Sequence, residues 1–322
     1  MSILITGGTG FIGAGLARKL LERNEDVILF DIVPRIEHVA DIKDKIRIVQ
    51  GDLKVWPEVL NVVKENNVDG IFHLGWMLGI QSEHNPWASF QTNIAGTMYV
   101  LEAARLFGVK RVVFTSSTLT YGLGTTGVIT DETIQRPTNM YGIGKLYGEL
   151  LGRFYRRKFD LDFRCLRYCT IVGPGVKTIS AAHYNSLMIE HAALGKPYEC
   201  PVTENTAIAV MYFKDAIRAT KMLYDAPREQ IKMVCYNISG VSPVKKVKEL
   251  EVAIKKSIPE VRITYKPDPL VMELLESIRS INIIDDTLAR DEWGWEPLYA
   301  DFEKLVEDFI QEVRMKPQLY GL

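Results

Sequence analysis

Tyr141 and Lys145 stand four positions apart in MYGIGKLYGELLGRFY, residues 140–155. On a helix, positions i and i+4 share a face, so the phenol and the ammonium lie one turn apart on the same side. An ammonium there favours phenolate and draws a phenol pKa from its ordinary value of about 10 toward the range of a general acid-base. Taken alone, the spacing equally describes an aromatic and a basic residue sharing a surface face. Upstream, FTSSTLTYG at residues 114–122 follows the strand-like KRVVFT, which places Ser117 at the carboxyl end of a sheet, where ligands of open α/β folds bind. Ser117 there is able to hold a substrate oxygen beside Tyr141. By itself, a Ser/Thr cluster at a strand end is ordinary turn chemistry.

A second constellation opens the chain. ITGGTGFIG, residues 5–13, lies where a first strand ends and a first helix begins. Gly7, Gly10 and Gly13 allow a tight turn, close approach of the backbone to a pyrophosphate and close helix-sheet packing, while the amides of Phe11, Ile12 and Gly13 open the helix. Asp31 closes ILFD eighteen residues beyond Gly13, near the separation of a carboxylate that accepts the ribose hydroxyls of an adenosine half. It repels a 2'-phosphate, so NAD is favoured over NADP, with Arg35 keeping NADP as the minor option. The alternatives are a glycine turn that merely packs a helix and a strand-end turn residue at Asp31.

The elements that must hold these groups follow from periodicity. Short apolar runs alternate with helical patterns: SILIT, residues 11–24, DVILFD, KIRIVQ, residues 56–67, GIFHL, a helix reaching Phe107, KRVVFT, a helix from Tyr141 to about Phe159, and FRCLRY. Near-continuous apolar strands between helices specify an α/β fold, a doubly wound parallel sheet covered on both faces. The expected division is a dinucleotide-binding Rossmann region over 1–172, with later returns near 208–240, and a smaller interleaved C-terminal substrate-binding region over 173–322.

Composition bounds the rest. With 322 residues, 47% of them hydrophobic, and a formal net charge of -1, the chain suits a globular protein with a sizeable core. Mixed charges with no basic run exclude phosphate-backbone binding, so no nucleic acid is expected. No run is apolar enough to span a bilayer and the start shows no basic leader, which reads as cytoplasmic. Cys165, Cys169, Cys200 and Cys235 form no CxxC pair and read as buried reduced thiols, and the scattered histidines have no ligand spacing, so no metal is expected. Asn237-Ile238-Ser239 matches a glycosylation sequon without a signal peptide to give it meaning.

Together these residues resemble a known family. TGxxGxxG at 6–13, Asp31, Asp52-Leu53, His73-Leu74-Gly75, Asn93-x-x-Gly96-Thr97, Ser116-Ser117, Tyr121-Gly122, Tyr141-x-x-x-Lys145 and Leu166-Arg167-Tyr168 look like an extended short-chain dehydrogenase/reductase of the NAD-dependent epimerase/dehydratase family, over essentially the whole chain. The resemblance implies Ser117 as substrate-hydroxyl anchor, Tyr141 as acid-base and Lys145 as ribose clamp and tyrosine activator. It further implies Asp52 and Leu53 near adenine, Leu74 and Gly75 along the cofactor, Asn93 supporting the active-site backbone, and a homodimer through helices around 93–107 and 141–159.

Within the family the resemblance runs furthest toward the short-chain type of L-threonine 3-dehydrogenase, carried by residues 140–168, MYFKDA and EWGW. Sugar dehydratases place Asp-Glu where Thr118 and Leu119 stand. Nucleotide-sugar epimerases carry an Arg-Asp pair where Ile208 and Ala209 stand, and asparagine at Thr170, although Lys177, Arg218 or Arg279 remain as cations for a diphosphate. The threonine enzymes show Gly-Thr-Thr-Asp-Tyr where this chain has Ser180-Ala181-Ala182-His183-Tyr184, and Trp-Pro where it has Ser280-Ile281. Candidate substrate contacts are Ser117, Thr118, His183 and Arg279, with Trp76, Met77, Leu78 and Trp87 placed to close over them; His183 equally fits a surface position, and the aromatics simple packing.

The expected function is NAD-dependent oxidation of a secondary alcohol of a small polar metabolite. Tyr141 takes the hydroxyl proton, Ser117 stabilises the oxygen, and hydride passes to the nicotinamide. The rivals are a nucleotide-sugar 4-epimerase and a regulatory dinucleotide-binding protein without catalysis.

Overall fold

The computed structural model describes residues 1–176, 181–276 and 278–322. Lys177 and Ser180, weighed above for a diphosphate and for the substrate loop, lie outside them. The chain runs β1 (Ser2–Thr6), α1 (Phe11–Leu21), β2 (Asp26–Asp31), β3 (Arg47–Gln50), α2 (Trp56–Glu65) and β4 (Gly70–His73). It continues through α3 (Gly79–His84), α4 (Pro86–Ser89), a π-helical turn over Phe90–Ala95, α5 (Gly96–Leu106), β5 (Arg111–Ser117), β6 (Gly127–Ile129), α6 (Met140–Phe159), β7 (Asp162–Tyr168) and β8 (Thr170–Val172). Then come α7 (Tyr184–Ala193), β9 (Tyr198–Cys200), β10 (Val210–Tyr212), α8 (Phe213–Asp225), β11 (Cys235–Ile238), α9 (Val247–Ser257), β12 (Ile263–Tyr265), α10 (Pro269–Leu275), β13 (Ile281–Ile284), α11 (Thr287–Trp293) and α12 (Phe302–Met315).

Among the described residues, one sheet has the strand order β11-β7-β5-β4-β1-β2-β3, and its pairings are parallel. Side chains alternate across it as the pleat requires: Ile3 and Ile5 join one buried cluster with Leu16 of α1 and Ala216 of α8, while Leu4 joins another with Val62 of α2 and Leu101 of α5. Both faces are therefore covered, and the middle strands β1 and β4 are almost wholly buried. Because β1 pairs with β2 on one side and β4 on the other, the order in which strands are added reverses there and a crevice opens beyond the strand ends. Thr6 is level with His73, and His73 with Phe114, so the glycine turn, His73 and Ser117 share one edge.

Helix bounds differ modestly from expectation. The pattern over 11–24 ends as helix at Leu21, because Asn24 takes a left-handed conformation, φ 57°, that turns the chain into β2. In the return near 208–240, β11 starts at Cys235, after Val234 at φ 72°. Beyond β7 the alternation gives way to two-stranded pieces, β10 on β8, β12 on β9 and β13 on β6. The last of these ties the segment after α10 to the loop that follows Ser117. All four cysteines are buried and free, as expected, and Asn237 of the sequon is buried within β11.

Candidate active site

The dinucleotide end is a cradle shaped by two missing side chains. Gly7 has φ +64°, and a Cβ on it would lie 2.8 Å from Gly75 Cα; on Gly13 a Cβ would lie 2.6 Å from the Gly7 carbonyl oxygen. Gly10 precedes α1 in an extended conformation, and no side chain caps the helix, so the amides of Phe11, Ile12 and Gly13 are first-turn donors beside the crevice. Asp31, ending β2, is turned toward this loop: its Oδ2 accepts from Thr9 N at 3.1 Å and Thr9 Oγ1 at 2.7 Å. Arg35 N donates to the same Thr9 Oγ1 at 3.0 Å.

Asp52 follows β3, accepts from Lys54 N at 2.9 Å and faces Lys54 Nζ at 3.2 Å. Leu53 is buried against Gly75, whose N–H donates to Thr6 Oγ1 at 3.0 Å, and Leu74 N donates to Thr6 O at 3.3 Å. Asn93 is fully buried in the π-helical turn; it accepts from Met77 N at 2.7 Å and donates to Met77 O at 3.0 Å, tying down the loop after β4. These features, and the cradle a Cβ would fill, fit a bound dinucleotide.

The chemical end lies along the same edge. α6 starts at Asn139, whose Oδ1 accepts from Gly142 N at 2.7 Å, and this cap sets Tyr141 against the end of β5. Ser117 is the last residue of β5; its Oγ accepts from Leu119 N at 3.2 Å, starting the buried turn that contains Thr118. Burial pushes the Tyr141 phenol up to about 12, and a hydrogen bond with the Ser117 hydroxyl pulls the other way. Burial likewise takes Lys145 down to about 7. Its Nζ donates to Thr115 O at 2.5 Å and sits 3.7 Å from the Trp76 ring centroid and 5.6 Å from that of Tyr141. The expected lowering of the phenol by Lys145 is therefore not what this geometry produces: burial raises it, and the opposing pull comes from Ser117. His73, neutral because burial and then Lys145 take it to about 3, bridges Thr6 Oγ1 at 2.8 Å and Thr97 Oγ1 at 3.1 Å.

A polar floor beneath these groups escaped the sequence reading. Glu149 receives the Ser116 hydroxyl and pairs with Arg167, Nη2 to Oε2 2.7 Å. Arg167 Nη1 also donates to Tyr121 OH at 3.0 Å, and Tyr121 donates to Asn237 Oδ1 at 2.6 Å. A signal was present: Glu149 falls one helical turn beyond Lys145 on the same face, and Arg167 follows apolar Cys165 and Leu166 in a strand buried on both faces.

The remaining candidates are more scattered. His183 is half-buried at the end of the short turn Ala181–His183 that leads into α7, and α10 packs against that turn. Arg279, beyond α10, is exposed and pairs with Glu276 at 2.6 Å. Trp87 is exposed and stacks on Phe90 with centroids 5.5 Å apart; Trp76 instead turns inward against Lys145.

A glycine cradle at a sheet switch point, with a serine, a tyrosine and a lysine at the neighbouring strand and helix ends, defines a nicotinamide-dinucleotide oxidoreductase of the extended short-chain dehydrogenase/reductase type. The chain belongs to the NAD dependent epimerase/dehydratase family, whose model matches residues 3–239. It is 33% identical over 299 residues to mitochondrial L-threonine 3-dehydrogenase of Bos taurus, a match spanning 91% of this chain and 78% of that protein. The solved GalE-like L-threonine dehydrogenase from Cupriavidus necator, in its holo form, superposes with a TM-score of 0.88 at 31% identity, covering 97% of this chain and all of that one. A UDP-glucose 4-epimerase from Thermotoga maritima shares the fold, TM-score 0.84 at 24% identity over 98% of this chain and 99% of that one. The chain is thus an enzyme of NAD-dependent alcohol oxidation acting on a small molecule, related also to the epimerases.

Proposed function

We propose that the enzyme oxidises the secondary alcohol of a small polar amino acid or hydroxy acid, with L-threonine the first compound to test, and that it prefers NAD to NADP. The observation that carries the chemistry is the placement of Ser117, last in β5, where it draws down the pKa of the buried Tyr141 phenol at the carboxyl edge of the sheet. Ser117 holds the substrate oxygen, Tyr141 removes the hydroxyl proton, and Lys145, one turn along α6, supports the developing phenolate and holds a ribose. The amides of Phe11, Ile12 and Gly13, over Gly7 and Gly10, hold the pyrophosphate. Asp31 takes the adenosine ribose, Asp52 and Leu53 flank adenine, and Leu74, Gly75 and Asn93 line the path to the ring. The bound dinucleotide supplies the acceptor for the hydride. Thr118, His183 and Arg279 remain proposed substrate contacts.

Preference for NAD rests on Asp31, whose carboxylate is fixed toward the cradle by Thr9. The threonine-like substrate is supported by the relatives named above; the loop at Ala181–His183 differs from theirs, so a related amino or hydroxy acid fits the same proposal. A diphosphate substrate draws less support, because Arg218 is engaged with the Glu296 carbonyl and Ile208 and Ala209 stand where the epimerases carry an Arg-Asp pair. A screen of NAD reduction against L-threonine, other amino acids, hydroxy acids, sugar acids and nucleotide sugars decides between the readings. Turnover confined to nucleotide sugars, without net NADH, would overturn this one.

Three further assignments belong to the same proposal. Exposed Phe90, Met98, Leu106, Leu150 and Phe154 give α5, the π-helical turn and α6 an apolar outer face suited to a homodimer, which a mass measurement by light scattering tests. The Rossmann region is taken as 1–172 with returns near 208–240, the rest forming the interleaved substrate region. No helix among the described residues is long and apolar enough to cross a membrane, and the buried free thiols fit a reducing compartment, which we take to be the cytoplasm.

A further inference from the structure

Trp76 follows β4 and Gly75 at the carboxyl edge, and its ring is packed where the chemistry is. Its centroid lies 3.7 Å from Lys145 Nζ, 5.6 Å from the Phe114 centroid and 6.3 Å from the Tyr141 centroid, the last at 79°. The ring also closes on α6 between Tyr141 and Lys145: a Cβ on Gly144 would stand 3.1 Å from Trp76 Cζ2. That is tighter than an ordinary carbon contact, so the absence of a side chain at Gly144 is what seats the indole.

Hydrogen bonding does not explain this placement. The indole Nε1 is buried and has no hydrogen-bond partner among the described residues. Native interiors seldom keep such an unpaired donor, and the ring is held here by its faces. One face meets an ammonium, and indole is the aromatic best suited to a cation. Lys145 has a flexible four-carbon stem, yet its Nζ donates to Thr115 O and the Trp76 face bounds it on another side, which restricts where the ammonium sits.

We propose that Trp76 is a positioning residue for Lys145: its indole face, admitted by the bare backbone of Gly144, fixes the ammonium where Tyr141 and the cofactor ribose require it. This rests on the reading of Lys145 given above. It predicts that Trp76 acts on dinucleotide binding and turnover through Lys145, and that residues 76 and 144 are coupled by volume.

The test is NADH binding by fluorescence titration of the full-length protein, with melting curves to confirm folding. Trp76→Ala and Lys145→Met are each expected to weaken NADH binding about three- to thirtyfold, and the double variant no further than the weaker-binding single one. Trp76→Phe, which keeps an aromatic face, restores most of the affinity. Gly144→Ala weakens binding with Trp76 present and has no effect in the Trp76→Ala background. Additive losses from Trp76→Ala and Lys145→Met, or an equal effect of Gly144→Ala in both backgrounds, would overturn the proposal. Because NADH binding needs no substrate, these outcomes are separate from failure to find an oxidised alcohol, which bears on the function alone.

Discussion

Arg167 of β7 and Glu149 of α6 form a buried ion pair, Nη2 to Oε2 2.7 Å, and the same glutamate receives the hydroxyl of Ser116, next to Ser117. The helix that carries Tyr141 is thereby joined by charge to β7 and by the Ser116 hydrogen bond to β5, the strand that carries Ser117. A pair in that position holds its two elements in register at the cost of desolvating both ions.

Removing one partner leaves the other charge buried and unpaired. Glu149→Ala is expected to destabilise the fold by about 3 to 5 kcal/mol in urea denaturation. A loss under about 1 kcal/mol would show that the pair does not join the two elements as described.

Tyr141→Phe deletes one proton-transfer group and little volume. Turnover should fall about 10² to 10⁴-fold while the NAD dissociation constant stays within about threefold. Steady-state kinetics beside equilibrium dialysis measure the two, and unaltered turnover would remove Tyr141 from the acid-base role.

Alcohol oxidation needs the phenolate as base. With burial holding the Tyr141 phenol up at about 12, the basic fraction grows with pH, so kcat/KM should climb through the alkaline range. Ser117 pulls that pKa down; Ser117→Ala therefore raises it and moves the climb to still higher pH. A pH profile that shifts toward acid in Ser117→Ala contradicts the assignment.

Asp31→Asn keeps an oxygen for the two Thr9 donors and removes the charge that opposes a 2'-phosphate. The ratio of NADPH to NADH affinity should rise about tenfold or more, read by fluorescence titration of both dinucleotides. An unchanged ratio places cofactor selection elsewhere.

Asp131 accepts the Asn237 backbone N–H from a buried position, and burial raises its pKa from 3.8 to about 6. The folded state therefore holds a proton that the unfolded chain releases, so this carboxyl costs stability as pH rises from about 4 to about 6, by about 2 to 3 kcal/mol in all. Asp131→Asn carries no charge and keeps the acceptor. Its melting temperature should exceed that of the parent at pH 8, with the advantage shrinking as pH falls from about 6 toward 4. An advantage that grows on acidification would show the sign to be wrong.

Much of the architecture was legible because it is written locally. DVILFD is β2 residue for residue, and the Tyr141 to Phe159 pattern is α6 to within one residue at its start, since period and capping act over a few neighbours. The cradle was legible for the same reason, its glycines lying between an obvious strand and an obvious helix. Less legible was the region past β7, where two-stranded pieces pair segments far apart in the chain. The sequence offers Trp76 either as a cover over substrate or as simple packing; its ring turns inward to Lys145, a direction that depends on the empty position at Gly144.

Spacing by itself determined that Tyr141 and Lys145 share a face, that Gly7 to Gly13 open a helix toward a crevice, and that Asp31 ends the second strand, because each follows from the repeat of a single element. Only the packed molecule decided that Ser117 meets Tyr141, that Glu149 and Arg167 lie beneath them, and that the phenol is pushed up and the ammonium down. The physical reason is that desolvation depends on which distant segments exclude water from a group, and no local pattern of residues encodes that exclusion.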